Sequence, residues 1–141
     1  MAERPRHYLD SNVIISIVEA TSAYGVAQAR FIKRLDAGEI EALTSELTLA
    51  ECLVKPIADR NLGAIKAFMT FLDGRPELPV LPIDRAILLD AARLRGQLGN
   101  KLPDAIHVAT ALAAVCDRFV TSDKGITLPG SLEFVQWDQL K

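Results

Sequence analysis

Acidic residues occur at four places where a strand is predicted to end or a helix is predicted to begin. They are Asp10, Glu51, Asp104 and Asp123. Apolar residues lie near each of them in the sequence, and a lone carboxylate buried among such residues would destabilise the fold or take up a proton. Carboxylate oxygens are the ligands that Mg²⁺ and Mn²⁺ prefer, and no cluster of His or Cys offers a softer site. The first hypothesis is therefore that the four carboxylates meet around a hard cation.

Each acid also has a structural interpretation when it is taken alone. Asp10 could cap the helix after it, and Asp104 could be a first-turn acid that interacts with the helix dipole. Asp123, within Ser-Asp-Lys-Gly, could be a turn residue. Glu51 has the weakest alternative of this kind, because apolar residues precede it in a predicted helix. A metal site is favoured by the four matched positions together and by none of them alone.

Strands and helices alternate in the predicted secondary structure. Strands are predicted at 7–9, 40–43, 80–83, 119–121 and 133–137. Helices are predicted at 13–20, 23–37, from Ser45 to Pro56, and at 63–72, 87–98 and 105–115. Ser11 or Asn12 is expected to cap the first helix, and Pro56 to end or kink the third. This alternation is typical of an α/β fold with a mostly parallel central sheet flanked by helices.

The predicted topology gives the four acids a common location. In such sheets the ligand site lies outside the carboxyl ends of the strands. Asp10 and Asp123 follow strands, Asp104 lies in the first turn of a helix, and Glu51 lies one to two turns into another. We therefore expect all four side chains at the same edge of the sheet.

Composition limits the class of protein. The chain has 141 residues, of which 50% are hydrophobic, and a length that suits a single domain, 1–141. The net charge is −2, but without the four site acids the balance is 16 basic against 14 acidic residues, or +2. A nucleic-acid substrate is thus permitted but not required. No apolar run suits a membrane span and no signal peptide is recognised. Cys52 and Cys116 are expected to be buried free thiols, and the protein to be intracellular.

The chain resembles the PIN-domain ribonucleases, and most closely the VapC-type toxins of bacterial toxin–antitoxin pairs. The stretches that carry the resemblance are 8–12 (Tyr-Leu-Asp-Ser-Asn), 45–56, 102–111 (Leu-Pro-Asp-Ala-Ile-His-Val-Ala-Thr-Ala) and 120–123 (Val-Thr-Ser-Asp). Their order and spacing fit over nearly the entire sequence, and the third stretch is the most specific.

The resemblance implies a PIN-like three-layer fold and a metal-dependent endoribonuclease. Asp10, Glu51, Asp104 and Asp123 would be catalytic and would bind one or two Mg²⁺ or Mn²⁺ ions. Ser11 would support the site with its hydroxyl, as would Ser122, which stands where the family often has Asn. The family further implies an RNA substrate, a small antitoxin that blocks the site, a homodimer and a cytoplasmic location.

Some residues near the acids keep more than one interpretation. His107, three residues after Asp104, could be a ligand or a base, but packing or support of the acids is favoured. Arg93, Arg95 and Lys101 could be solvated charges or phosphate contacts.

Three other functions are compatible with parts of the sequence. The chain could be a PIN-fold nuclease that processes RNA and is not a toxin. It could be a phosphoacceptor or phosphatase-like α/β domain with Asp10 as its nucleophile, which would leave Glu51 and the Pro103-Asp104 helix start without a role. It could also be a binding module that has the fold without the activity.

Overall fold

A five-stranded sheet in which all strands are parallel forms the centre of the computed structural model, which describes residues 4–19 and 24–140. The strand order is β3-β2-β1-β4-β5. The strands are β1 (Arg6–Leu9), β2 (Glu41–Ser45), β3 (Val80–Leu81), β4 (Arg118–Thr121) and β5 (Glu133–Gln136). The helices are α1 (Ser11–Glu19), α2 (Val26–Asp36), α3 (Glu46–Ala58), α4 (Leu62–Phe71), α5 (Arg85–Leu98) and α6 (Leu102–Ala113). The predicted α/β fold with a parallel sheet is confirmed.

Helices cover both faces of the sheet, because successive strand residues point to opposite sides. Leu9 and Val120 pack with buried residues of α1 to α4. Their neighbours Tyr8 and Phe119 point the other way and pack with Val108 and other residues of α6. A smaller buried cluster joins α5 to α6. The result is the expected three layers, with both cysteines buried as free thiols.

Several predicted boundaries were wrong by a few residues. The first helix begins at Ser11, so Ser11 and Asn12 lie in its first turn and neither is its cap. The third helix continues through Pro56 to Ala58. Proline removes one helical N–H, but here only two helical residues follow it and its ring is buried. The third strand ends at Leu81 because Pro82 has no N–H to extend the ladder.

The predicted end of the first helix at Ala20 and the predicted start of the second at Ala23 lie outside the described residues. Two predicted caps behave as their residue types predict, whereas Ser45 stands at the N-cap of α3 without a side-chain capping hydrogen bond. Asp84 accepts a hydrogen bond from the backbone N–H of Ile87 at 2.9 Å and caps α5. Gly38 has φ of 71°, as expected for a residue that follows the end of α2.

The central strands bring distant parts of the chain to one edge. β1 lies between β2 and β4, and the backbone N–H of Asp10 donates to the carbonyl of Val120 at 3.0 Å. The segments that follow β1, β2 and β4 therefore emerge side by side. Within residues 4–19 and 24–140, no helix is long and apolar enough to cross a membrane.

Candidate metal centre

Asp10 occupies the middle of the carboxyl edge and is only 3% exposed. Its Oδ1 accepts a hydrogen bond from the backbone N–H of Ser11 at 2.7 Å. Its Oδ2 accepts one from Thr121 Oγ1 at 2.8 Å and a longer one from Asn12 Nδ2 at 3.4 Å. These contacts fix the direction of a carboxylate that is almost removed from water.

Thr121 and Asn12 join the end of β4 to the start of α1. The hydroxyl of Thr121 accepts hydrogen bonds from Asn12 Nδ2 at 3.1 Å and from the backbone N–H of Asp123 at 3.0 Å. Asn12 Oδ1 accepts one from the backbone N–H of Ser122 at 2.9 Å. The sequence analysis gave neither residue a role in the site and considered Asn12 only as a helix cap, although both lie in the family stretches. The sequence feature that could have identified them is their position, because Thr121 is a polar residue at a strand end and Asn12 a polar residue in a first helical turn.

Glu51 is held by His107, which lies on α6 and is completely buried. His107 Nε2 lies 2.5 Å from Glu51 Oε1 and 3.5 Å from Asp10 Oδ1. Both neighbours are carboxylate oxygens, so the hydrogen of the ring belongs on Nε2. Burial would raise the pKa of Glu51, but the hydrogen bond and the charge of His107 outweigh it and leave the pKa lowered.

Asp104 lies in the first turn of α6, after Pro103, and is half-buried. Burial raises the pKa of its carboxyl group, and the charges of Asp10 and Asp123 raise it further. Glu51 adds a smaller effect in the same direction, whereas His107 lowers it. Asp104 therefore lies within range of the charges of the other three acids.

Asp123 lies at the exposed rim of this cluster. Its Oδ1 accepts a hydrogen bond from the backbone N–H of Gly125 at 2.8 Å. The turn interpretation of this residue is therefore realised, because the side chain does close a local turn. The same carboxylate also contributes to the field that raises the pKa of Asp104.

The two serines in the prediction lie in different surroundings. The hydroxyl of Ser11 is 3.5 Å from Asp10 Oδ1, and a hydrogen bond from Ser11 lowers the pKa of Glu51. The hydroxyl of Ser122 points instead to Asp138 Oδ1 at 3.4 Å. Ser122 thus meets the site through its backbone, by way of Asn12.

Asn100 joins the loop before α6, the helix that carries Asp104, to the loop after β4, which carries Asp123. Its side-chain amide donates to the carbonyl of Thr127 at 2.7 Å and accepts from the N–H of the same residue at 2.9 Å. Asn100 is buried and lies just before α6, while Thr127 lies in the loop after β4. This two-point pairing fixes the spacing of the loops, and sequence reasoning did not identify it.

The basic residues upstream of Asp104 have different surroundings. Arg93 forms an exposed ion pair with Asp90 at 2.6 Å. Arg95 donates to the backbone carbonyl of Asn100 at 2.6 Å, and Lys101 is exposed. Arg93 is thus a solvated charge, whereas Arg95 braces the turn before α6.

The charge of the cluster matches a cation. One ligand atom from each of Asp10, Glu51 and His107 lies within 4.8 Å of the others. Asp104 and Asp123 are not part of this group, but the charges of Asp10, Glu51 and Asp123 all raise the pKa of Asp104. In the part of the chain that the structure describes, no Lys or Arg forms an ion pair with any of the four acids. The carboxylate oxygens therefore have one imidazole, that of His107, and no Lys or Arg beside them. Such a set of oxygen donors suits a hard divalent ion.

The PIN-domain family model matches residues 7–128, and the chain belongs to the PIN-domain family. No significant sequence match to a curated protein was found.

Solved structures share this fold. VapBC2 of Rickettsia felis, bound to a DNA fragment from its promoter, is 14% identical with a TM-score of 0.71, over 94% of this chain and 98% of that chain. A toxin–antitoxin complex from Klebsiella pneumoniae is 21% identical with a TM-score of 0.65, over 89% and 94%. VapC20 of Mycobacterium tuberculosis, a toxin that cleaves the sarcin–ricin loop, is 15% identical with a TM-score of 0.62, over 80% and 86%. At these identities the likeness shows the fold alone.

Proposed function

We propose that the protein is a metal-dependent endoribonuclease and the toxin of a type II toxin–antitoxin pair. The observation that carries the proposal is that Asp10, Glu51 and His107 lie together at the carboxyl edge of a PIN fold, while the charges of Asp10, Glu51 and Asp123 act on Asp104. The chain leaves these carboxylates without a Lys or Arg partner in the described residues. Such a cluster costs free energy unless a cation accompanies it.

The four acids would hold one or two divalent ions, Mg²⁺ or Mn²⁺. A bound ion would lower the pKa of a water ligand towards ~7 and would offset charge on the phosphoryl oxygens. Asp10 would be the fixed ligand, because its position is set by three hydrogen bonds. Glu51 would be oriented by His107, and Asp104 and Asp123 would face the open side, where an RNA phosphate can approach.

The chain itself needs to supply no nucleophile in this proposal. Water as the attacking group would leave a 5′-phosphate and a 3′-hydroxyl at the cleaved bond. A phosphoacceptor role for Asp10 gives no role to Glu51, which lies beside Asp10, or to Asp104, whose pKa responds to the charge of Asp10. The phosphatase-like alternative therefore gains no support from this geometry.

The toxin assignment is supported by the similarity of the fold to solved structures of toxins. The similar solved structures include toxin–antitoxin complexes and a toxin that cleaves the sarcin–ricin loop. By analogy we propose an RNA substrate, a small antitoxin partner and a homodimer. Cytoplasmic action would bring the protein to its substrate, and two free thiols are usual in a reducing compartment.

One experiment tests the nuclease and the toxin parts separately. Purified protein is incubated with total cellular RNA in Mg²⁺, in Mn²⁺ and in excess EDTA, with Asp10→Asn as the inactive control. Cleavage that is equal in EDTA, or equal in the variant, would exclude the metal mechanism. Expression of wild-type protein in cells should arrest growth unless the antitoxin is present. Harmless expression of a chain that cleaves RNA in vitro would favour an RNA-processing nuclease.

A further inference from the structure

A buried line of hydrogen bonds runs from the middle of the sheet to the acids. The hydroxyl of Tyr8 lies 2.6 Å from His107 Nδ1 and 2.9 Å from Ser45 Oγ. The opposite side of the same imidazole holds Glu51 and lies near Asp10. Tyr8, Ser45 and His107 are all fully buried and belong to β1, β2 and α6. The line therefore connects three elements of the core to Glu51 on α3.

The direction of each hydrogen bond in this line depends on the groups at its ends. Nε2 of His107 donates its hydrogen to the carboxylates. Whether Nδ1 accepts or donates therefore depends on the Tyr8 hydroxyl. Tyr8 offers a hydroxyl, which can donate to a bare Nδ1 or accept from a protonated one. Ser45 completes the arrangement, because its hydroxyl can likewise donate to or accept from the phenol oxygen.

The phenol is held firmly in this position. The Tyr8 ring stacks on Phe119 with centroids 5.3 Å apart and meets the His107 ring edge-on at 5.6 Å. Burial raises the pKa of Tyr8 well above its usual range, so the hydroxyl keeps its hydrogen. A phenylalanine would fill the same space and pack equally well, but it could not bond to the imidazole. Packing alone therefore does not account for a tyrosine here.

We propose that Tyr8 is a positioning residue that acts through His107. Its hydroxyl fixes the imidazole ring, and the ring in turn holds the Glu51 carboxylate towards Asp10. This inference rests on the proposed metal-dependent nuclease and assigns to it a determinant two residues upstream of the first acid. Partners of this kind, which orient a ligand without touching the ion, typically contribute 10–100-fold to metal affinity or activity.

Tyr8→Phe tests this role, with Tyr24→Phe as a matched control. The hydroxyl of Tyr24 also makes two hydrogen bonds, to the carbonyls of Ser16 and Ile17 at 2.8 and 2.9 Å, but these are remote from the acids. Each variant loses one hydroxyl and keeps the ring. The binding of Mn²⁺ to each free protein is measured by calorimetry, and kcat and KM for RNA cleavage are measured separately.

The expected result is selective for Tyr8. Tyr8→Phe should weaken Mn²⁺ binding and lower kcat by roughly 10-fold, with little change in KM. Tyr24→Phe should match the wild type within about twofold in all three quantities, since it touches no ligand. Ser45→Ala, which removes only the outer hydrogen bond of the Tyr8 hydroxyl, should give a smaller effect in the same direction. It also provides a second variant if Tyr8→Phe folds poorly.

A readout without metal or RNA completes the test. The chain contains two histidines, so the ¹⁵N signals of His107 can be separated from those of His7. The Nδ1 signal of His107 should shift in Tyr8→Phe and stay unchanged in Tyr24→Phe. Equal Mn²⁺ affinity and equal kcat in both tyrosine variants would overturn the inference while leaving the nuclease intact. A wild-type protein that neither binds Mn²⁺ nor cleaves RNA would overturn both.

Discussion

The two ends of the sheet handle charge in opposite ways. At the amino end, Arg6 pairs with Glu41 at 2.8 Å, and Arg118 pairs with Glu133 at 3.0 Å. At the carboxyl end, no Lys or Arg in residues 4–19 and 24–140 lies within 4.0 Å of any of the four acids, and the imidazole of His107 contacts the carboxylates of Asp10 and Glu51. Both ends are rich in ionisable residues, so residue type does not distinguish them. What differs is whether the chain supplies the countercharge.

The same contrast separates ordinary caps from candidate ligands. Asp117, just before β4, accepts a hydrogen bond from the backbone N–H of Arg6 at 2.8 Å, and Asp84 caps α5. Each of these two acids satisfies one backbone N–H. Asp10 also accepts from the backbone, yet the Glu51 carboxylate lies beside it and its charge acts on Asp104. An acid at an element end is thus informative only when others converge on it.

The largest expected effect is the loss of one acid from the carboxyl end. Asp10→Asn or Asp104→Asn should lower kcat for RNA cleavage by more than about 100-fold, beyond the usual effect of residues that only support a metal ligand. The fold should persist, because asparagine is nearly isosteric with aspartate. Circular dichroism checks the fold and RNA cleavage checks the activity. Activity near that of the wild type would remove the substituted residue from the site.

Cation binding should stabilise the protein through the carboxyl end alone. Mn²⁺ at 100 times its Kd should raise the free energy of unfolding by about 2.7 kcal/mol. At the same Mn²⁺ concentration the gain should be at least about 1.3 kcal/mol smaller in Asp10→Asn, which is the control, because a 10-fold weaker affinity lowers it by that amount. Denaturant unfolding with and without Mn²⁺ measures both values. An equal gain in the two proteins would place the bound ion elsewhere.

Asn100 offers a smaller test of how the loops at the carboxyl end are held. Asn100→Ala should lower kcat up to about 10-fold, because the spacing of Asp104 and Asp123 loosens. Asn61→Ala is its control, since Asn61 caps α4 through the N–H of Ala64 at 3.0 Å. That variant should lose about 1 kcal/mol of stability and keep its kcat. Equal kcat values in the two variants would show that the pairing with Thr127 only stabilises the fold.

The pH dependence of stability should reveal the uncompensated charge of Asp104. Its pKa is raised from the usual 3.8 in the folded protein. At pH values just above 3.8 the folded state therefore binds more protons than the unfolded state. Ionised Asp104 therefore costs stability, and this cost appears as the pH rises through the window above 3.8. In EDTA, Asp104→Asn should be more stable than the wild type at neutral pH, by less than about 1 kcal/mol for a half-exposed group.

That difference should shrink as the pH falls below the usual carboxyl range. Unfolding free energies of the two proteins at several pH values provide the measurement. A neutral-pH variant that is less stable than the wild type would mean that Asp104 is already compensated within the chain.

The smallest effect is expected at the amino end. Glu133→Gln breaks an exposed ion pair with Arg118, which should change stability by less than about 1 kcal/mol. RNA cleavage and Mn²⁺ affinity should not change. A large loss of activity in this variant would contradict the division of the molecule into a self-compensated end and a cation-binding end.

The sequence predicted the fold better than it predicted the details of the site. Alternating strands and helices identified the parallel sheet, and the strand ends identified the edge at which Asp10 lies. The order of the strands, which puts β1 beside β4, depends on tertiary packing and was not deduced from pattern. Boundary errors occurred where local rules compete with packing, as at Pro56, which lies buried inside α3.

The supporting contacts were harder to predict, because they join residues far apart in the chain. Tyr8 meets His107 across 99 positions, and Thr121 meets Asp10 across 111. Nothing in the local sequence of Tyr8 distinguishes it from an ordinary core aromatic. His107 was expected to pack or to support the acids, and the structure has it doing both. The metal-binding roles of the four acids stay predictions.

The binding of Mn²⁺ to the purified protein tests the central claim most directly. Calorimetry on wild-type protein and on Asp10→Asn, both freed of metal beforehand, compares the site with and without its most buried acid. We expect the wild type to bind one or two ions in a saturable way, and the Asp10→Asn variant to bind them with at least a 10-fold weaker affinity. Wild-type protein that binds no Mn²⁺, or a variant that binds it equally well, would contradict the claim that these carboxylates form a cation site.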